Sequence, residues 1–594
     1  MNFPSLKEIT TKAKTAFQRF PITLTWAIVS CLFIIGVIEV DSSQLYKTYE
    51  ASLLTMILGI SWFICVQFLI EQFEHSEKWE WLKVVVLALL IAFYFHLPDL
   101  TPYDVDPVYY IRFTLYIIGG HLFLFFAPFV FSWNKEAYWN YLKSICIAIG
   151  RSLLFSGVLF LGLALALTAM EYLFEFEVNG KRYGQLFVFC LGIVNTWTYL
   201  SDFPKDILVQ KTINYNKALE VFVKYILIPL VILYLIILYA YTIKIVFAWN
   251  LPKGWVSYLV TALAFLGFSI QVMINPIQKR IKSWTINRFY PWFYILLLPL
   301  IVLLFIAIFT RIGDYGITEN RYFILALTLC ILGNVLYILF SKNKRLIVLP
   351  ICLFLIAILS SFGFWSVFSV SKNSQIAQFK KVYSKVVENK NIATNEEHKQ
   401  LGSILEYLYE RKSISKLDDI TGISIEAAIK DTTLNWGKYY FSRQMLDSLG
   451  IELDPNGIQI ANNLQNNYYY YDDWKSDKSY SITGYDDFIS LSSLGNSNMQ
   501  IGDYNIKYSS KRNELYLVSK KTKKVALFIS MQKKLKELAS HGENLNKIDK
   551  ENFILEITND SISTKLIFHS LSFYLEKDSV KINDSRISIF LKQH

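Results

Sequence analysis

Residues 225–245 read YILIPLVILYLIILYAYTIKI, with Lys244 as the one ammonium or carboxylate in the stretch. A run this long and this apolar does not belong in a water-soluble core. About 20 apolar residues is the length a bilayer demands of a helix, and in hydrocarbon each backbone polar group must be satisfied within the segment, which makes helix the default. Working outward, the same pattern recurs in spans at 22–40, 51–70, 81–97, 107–131, 152–174, 183–200, 220–246, 256–275, 290–310, 321–341 and 346–369. Nothing before residue 370 alternates in the ten-residue manner of an outer-membrane barrel. The expected fold is a polytopic α-helical membrane protein with about 11 transmembrane helices and a C-terminal soluble α+β domain. The shortest span, 81–97, is the weakest member of the set.

After Val370 the character changes, and Lys, Asn, Ser and Asp replace the apolar runs. The expected organisation has four parts. Residues 1–21 form a cytoplasmic basic interfacial helix, and 22–370 the helical transmembrane domain. Residues 371–455 form a helical linker region, with helix expected over 374–413 and around IEAAI and YYFSRQMLDSLGI within 422–450. Residues 456–594 form a soluble, mainly antiparallel β domain with one helix. In that last part MQIGDYNIKYSS, NELYLVS, KKVALFISM, NFILEIT, STKLIFHSLSFYL and RISIFL alternate with period two, and residues 531–541 read as the intervening helix. All six cysteines lie within or beside spans, so no disulfide or zinc–cysteine site supports the tail.

Cations set the expected orientation. With the N-terminus inside, one face carries 19 Lys and Arg, from Lys7 to Arg345. The other carries six: Lys47, Lys181, Arg182, Lys253, Arg311 and Arg321. The N-terminus is therefore expected in the cytoplasm and, with an odd number of spans, the C-terminal domain outside. The first twenty residues lack the short apolar core and small-residue site of a cleaved signal peptide. Residues 5–20 read as a basic, weakly amphipathic helix on the anionic inner leaflet. The net charge of +11 follows from this pattern, and no basic stripe with interleaved aromatics points to nucleic acid.

The densest polar stretch near the expected outer face is RIGDYGITENRYF, residues 311–323. Arg311, Asp314, Glu319, Asn320 and Arg321 have the chemistry to pair, to bind an anionic headgroup, or to move a proton. The plainer reading makes Thr318 a helix N-cap, sets Glu319 at the positive helix end and gives Gly316 the turn; Arg321 then needs a fixed partner. Arg112 and Lys244 approach the same face, as do Glu39, Glu171, Asp104 and Asp106, and together they are a candidate outer-face polar cluster. Each also fits simple snorkelling of a long side chain. Lys224 lies close to the start of its span, and His121, beside Gly119 and Gly120, reads as a satisfied packing partner. Small residues in the fifth span (Ser156, Gly157, Gly162, Ala164, Ala166) read as helix packing. Pro128, Pro229 and Pro299 read as kinks, and YYYYDDW (468–474) as a half-buried strand. No metal spacing or nucleotide, hydrolase or redox motif is present, so no cofactor and no metal is expected.

Several phrases resemble one family in order along the chain: FSGVLFLGLALAL (155–167), NTWTYLSDFP (195–204), residues 225–245, LPKGWVSYLV (251–260), YGITENRYF (315–323) and FGFWSVFSVSKNSQ (362–375). They resemble the bacterial membrane proteins grouped as domain-of-unknown-function family 4153, over about residues 20–380. The resemblance implies a polytopic bacterial inner-membrane protein and carries over no catalytic residue. The leading functional expectation is a cell-envelope role, with a lipid or small polar ligand held at the outer face and an exported domain that regulates or docks an envelope partner. A secondary transporter and a membrane-embedded enzyme on a lipid-linked substrate are the rivals; a sensor or scaffold is a further class.

Overall fold

The computed structural model describes residues 6–40, 49–96 (except 74), 107–174, 178–248 (except 204, 211 and 214) and 255–425 (except 279 and 281). It also describes 442, 445–454, 467–472, 482–491, 499–575 (except 511, 542–544, 546 and 547) and 580–594. Two compact units divide the chain: Met1–Asn391 with Lys399–Ile451, and Ile392–His398 with Glu452–His594.

The first unit is helical. Its elements are α1 (Leu6–Arg19), α2 (Pro21–Ile38), α3 (Glu50–Ile70), α4 (Trp81–His96), α5 (Pro107–Leu124) and α6 (Lys135–Phe174). Next come α7 (Gly180–Val188), α8 (Asn195–Ser201), α9 (Lys217–Phe222), α10 (Ile228–Ala248), α11 (Trp255–Ile274) and α12 (Trp284–Tyr315). The last are α13 (Glu319–Phe340), α14 (Val348–Leu359), α15 (Val367–Glu388) and, from Lys399 on, α16 (Asn395–Glu410). A π-helical turn at Phe189–Val194 joins α7 to α8, and another at Val223–Leu227 joins α9 to α10. The second turn precedes Pro229, which has no N–H to donate, and a π-bulge is one way a helix absorbs that loss.

Among the described residues eight helices are long and apolar enough to cross a membrane: Pro21–Ile38, Glu50–Ile70, Ser76–His96, Lys135–Phe174, Lys217–Ile245, Val256–Ile274, Pro291–Tyr315 and Glu319–Phe340. The other three expected spans are shorter or more polar. Span 107–131 stops as α-helix at Leu124, and Pro128 sits in a 3₁₀ turn, Ala127–Phe129. Span 183–200 is the α7–π–α8 composite. Span 346–369 is interrupted: α14 has 12 residues, and the chain turns through Gly363 at φ +84° before Ser366 caps α15. Pro299 lies inside α12 with Pro291.

Close packing inside the unit is set by glycine and aromatic residues. A Cβ at Gly120 would lie 2.5 Å from Ser61 Oγ, and one at Gly119 2.8 Å from Ile358 Cδ1, so α5 packs tightly on α3 and α14. Trp62 donates to the Tyr116 carbonyl and Cys65 to that of Gly120. A second core, with Tyr294 and Leu304 fully buried, joins α10 to α13. The fifth span differs from expectation: its Gly157 and Gly162 meet no neighbouring atom within 4 Å, and that half of α6 exposes Leu153, Phe155, Leu161 and Leu165. Ser156 is the exception among these small residues: it is fully buried and donates to Asn195 of α8 at 3.4 Å.

The expected helix over 374–413 is two helices. Lys390 and Asn391 adopt left-handed φ of 58° and 64° and end the first. Thr394 and Glu397 form a reciprocal capping box that starts the second. The stretches around IEAAI and YYFSRQM lie almost wholly outside the described residues.

The second unit is strand-rich. β1 (Ile392–Ala393) pairs in parallel with β2 (Glu452–Leu453). A five-stranded sheet has the order β3 (Asn467–Asp472), β10 (Ile562–Leu575), β11 (Val580–Gln593), β4 (Asp487–Leu491), with β9 (Ile554–Thr558) also on β10. A four-stranded antiparallel meander runs β5 (Met499–Ile501), β6 (Tyr504–Ser509), β7 (Glu514–Ser519), β8 (Val525–Ser530), and α17 (Gln532–Ala539) follows it. The tyrosine run forms β3: Tyr469 and Tyr471 are buried, stacked on Phe573 and Phe553. Residues 473 and 474 lie outside the described residues.

Candidate functional site

The α12–α13 loop is held from the side by polar side chains of the two helices that follow the bundle. Gly316, at φ +70°, turns the chain. Gln375 Nε2 donates to the carbonyls of Tyr315 and Ile317 at 3.0 and 2.9 Å. Gln378 Nε2 and Gln400 Nε2 each donate to that of Asp314 at 2.8 Å. Ser374 Oγ accepts from the Ile317 N–H at 2.8 Å. Thr318 occupies the N-cap position without a side-chain cap bond.

Glu319 is buried at that helix start. Its Oε1 accepts from Arg411 Nε at 2.7 Å and Tyr407 Oη at 2.9 Å, and the Arg411 guanidinium lies 4.0 Å from the Tyr407 ring centre. Burial and the Glu319 charge raise the Tyr407 phenol above its ordinary value. Burial pulls Arg411 down, but the hydrogen bond and charge of Glu319 outweigh it, so its pKa rises. Arg321 finds the fixed partner its position requires: NH1 donates to the carbonyls of Tyr315 and Gly316 at 3.1 and 2.7 Å. The carboxylate of Asp314 and the amide of Asn320 are exposed.

Arg311 lies within charge range of Arg321; the remaining members of the outer-face cluster sit elsewhere. Arg112 donates to the Ser361 carbonyl at 3.1 Å, touches His96 and lies over Phe368. Lys244 is exposed on α10 and Arg311 is half-buried on α12. Glu39 accepts from Arg182 at 2.6 Å and Gln185 at 2.7 Å, while Lys181 reaches the Glu39 carbonyl at 2.8 Å. Tyr183 lies between Thr168 and Glu171. His121 bonds the carbonyl one turn back, at 2.8 Å, and Lys224 lies over Tyr225. Asp104, Asp106, Lys47 and Lys253 lie outside the described residues, as do residues 251–254. The structure thus joins Glu319, Arg321 and the Asp314 backbone in one constellation and sets Arg112 and Lys244 apart from it. Sequence reading missed Arg411, Tyr407 and the three glutamines. The available signal was spacing: Gln375 and Gln378 share a helix face, as do Gln400 and Tyr407 two turns apart.

A second polar constellation was not singled out from sequence. A cleft of about 570 Å³ opens among α1, the end of α3, Pro128 and residues 205–209. Arg19 is fixed there by two bonds to Glu71, Nε to Oε1 at 2.9 Å and NH2 to Oε2 at 2.7 Å. NH1 reaches the Phe203 carbonyl at 3.3 Å, and the guanidinium lies 5.0 and 5.4 Å from the ring centres of Phe20 and Phe68. The basic N-terminal helix is itself docked: Trp197 donates to the Ala13 carbonyl at 3.1 Å and stacks on Phe17. Nearby, Arg151 NH1 lies 2.9 Å from Asp202 Oδ2, close enough for charge pairing though not aligned as a hydrogen bond.

Comparison with known proteins agrees on the helical region. The model of the family described as Domain of unknown function (DUF4153) matches residues 24–395. An uncharacterised protein of Pasteurella multocida (strain Pm70) is 25% identical over 392 residues, 64% of this chain and 62% of the relative. The chain therefore matches somewhat under two thirds of that relative's length. No solved structure matches.

Proposed function

Since the chain belongs to the DUF4153 family over residues 24–395, and that family supplies no activity, we propose from the geometry that it is an eleven-crossing protein of the bacterial inner membrane, N-terminus inside. It serves the cell envelope by bracing the helices after its bundle and carrying an extracytoplasmic domain that docks an envelope partner. The hold on loop 314–321 carries this reading. Seven side-chain hydrogen bonds from α15, α16 and Arg411 lock the loop between two apolar helices, so a load on those helices is passed to the bundle. Asp314 is exposed, while Glu319 and Arg321 are committed to protein partners, which favours a latch over a reaction centre.

Contacts between distant segments support the crossing count. Tyr110 hydrogen-bonds Glu50, so the starts of α3 and α5 share a face, which favours two crossings between them and makes α4 one of them. Arg345 lies over Trp133 at one end of α14 while Arg112 binds Ser361 at the other. Trp133 follows α5 and Arg112 lies in its second turn, so α14, though short, runs alongside most of α5, which favours a crossing. Arg280 with Glu136 and Arg182 with Glu39 also join residues that the eleven-span order puts on one side.

The test is labelling of intact cells with a membrane-impermeant thiol reagent, in a background without the native cysteines. Asn320→Cys should react and Lys205→Cys should not; the reverse pattern contradicts the proposed orientation. Docking is tested by a photo-crosslinker at Phe528, half-exposed on β8. An adduct with an extracytoplasmic protein is expected, and adducts confined to cytoplasmic proteins contradict the reading.

A further inference from the structure

We propose that the cleft beside α1 binds the headgroup of a zwitterionic phospholipid, a phosphate ester carrying a primary ammonium group. Four charged side chains line it: Arg19, Lys205, Glu71 and Asp206. Two are cationic and two anionic, so the cleft is neutral overall. A purely anionic ligand would have to lie against two carboxylates, and a purely cationic one against an arginine and a lysine. Arg19 and Glu71 already hold each other, so a neutral ligand with one charge of each sign meets Lys205 and Asp206 through charge-assisted bonds.

The inner part of the cleft is already organised. Arg19 and Glu71 hold each other, Gln67 adds a bond to Glu71 at 3.2 Å, and Phe20 and Phe68 flank the guanidinium. Little side-chain freedom is left to lose there on binding. The rim is different. Lys205 and Asp206 are exposed and form no ion pair among the described residues. Asp206 adopts a left-handed φ of 54° in a turn closed by Val209 N–H to its carbonyl at 3.0 Å. The rim thus offers an ammonium to phosphate and a carboxylate to an amine, side by side.

The remaining wall is mixed, with Thr15, Gln18 and Gln72 beside an apolar part. Pro128, Leu208 and Val209 line that part, and Val209 is 72% exposed. The site lies where α2 begins at Pro21, α3 ends at Ile70 and α8 ends at Ser201. On the membrane reading given above, on which the lipid source rests, these ends mark the level at which headgroups meet acyl chains. The volume, about 570 Å³, lies in the range of small-ligand sites.

The experiment uses full-length protein, delipidated in detergent, with bound lipid counted by native mass spectrometry. Short-chain phosphatidylethanolamine, the matching phosphatidylglycerol and soluble glycerophosphoethanolamine are titrated separately. Phosphatidylethanolamine should bind about tenfold more tightly than phosphatidylglycerol. The exposed-rim variant Lys205→Gln/Asp206→Asn, in which asparagine tolerates the left-handed φ of position 206, should lose that preference while its melting temperature stays unchanged. Equal binding of the two lipids, or an unchanged preference in the variant, overturns the proposal. Soluble glycerophosphoethanolamine binding as tightly as the lipid overturns the lipid source and assigns the site to a water-soluble zwitterion. These detergent measurements do not depend on which face of the membrane the cleft occupies, so their failure is separable from failure of the labelling test.

Discussion

Replacing Glu319 by Gln should open the latch on the α12–α13 loop. The side chains of Glu319 and Arg411 are 8% and 15% exposed and meet at 2.7 Å. Removing one partner of a buried pair leaves the other charge uncompensated and costs about 3–5 kcal/mol. Because Arg411 keeps some solvent contact and glutamine still accepts one bond, the lower end applies, about 3 kcal/mol. Every 1.4 kcal/mol is a factor of ten, so local opening should become about a hundredfold more frequent. The reporter is hydrogen exchange over residues 314–322, where the Ile317 N–H is held by Ser374. Glu319→Gln/Arg411→Gln should lose less than the sum of its single variants, since it leaves no lone buried charge. If Glu319→Gln exchanges at the wild-type rate while Ser374→Ala exchanges faster, the ion pair does not secure the loop and the reasoning fails.

Other outcomes follow from the same geometry. The Tyr407 phenol is raised in the folded protein, so its contribution is fully present below the ordinary phenol value of about 10 and is lost as pH rises through the raised value. Exchange protection over 314–322 should hold to about pH 10 and fall above it, and in Tyr407→Phe that alkaline fall should be reduced. Gly316→Ala forces a side chain into left-handed φ, a cost of about 1–2 kcal/mol, and places its Cβ 3.0 Å from Gln375 Nε2. Its melting temperature in detergent should drop; an unchanged value would place the turn elsewhere. Tyr471 stacks on Phe553 with ring centres 3.5 Å apart, so Tyr471→Ala should cost the strand-rich unit about 3–5 kcal/mol. A loss no larger than a surface substitution causes would mean β3 does not form part of that core.

Much of the fold was legible because bilayer length and strand alternation are local signals. Residues 225–245 declare a crossing without help from any neighbour, and β6 to β8, β10 and α17 follow their sequence patterns closely. What was not legible depends on partners far away in sequence. Glu319 looks like a helix-dipole residue until Tyr407 and Arg411, some ninety positions later, are brought to it. The small residues of the fifth span look like a packing seam, and only the structure leaves Gly157 and Gly162 open. The cleft escaped for the same reason: Arg19, Glu71 and Lys205 are ordinary loop-side charges until three helix ends meet. The interruption of span 346–369 was hinted at by Ser360, Ser361 and Gly363, but composition alone averages over such a turn.

The most direct test of the central account is a pair of reporters fused at Asn391, one active only outside the cytoplasm and one active only within it. The account predicts signal from the outside reporter alone, because eleven crossings from a cytoplasmic N-terminus leave this position outside. Signal from the cytoplasmic reporter alone would contradict it. It would mean that one of the short helices, α4 or α14, does not cross.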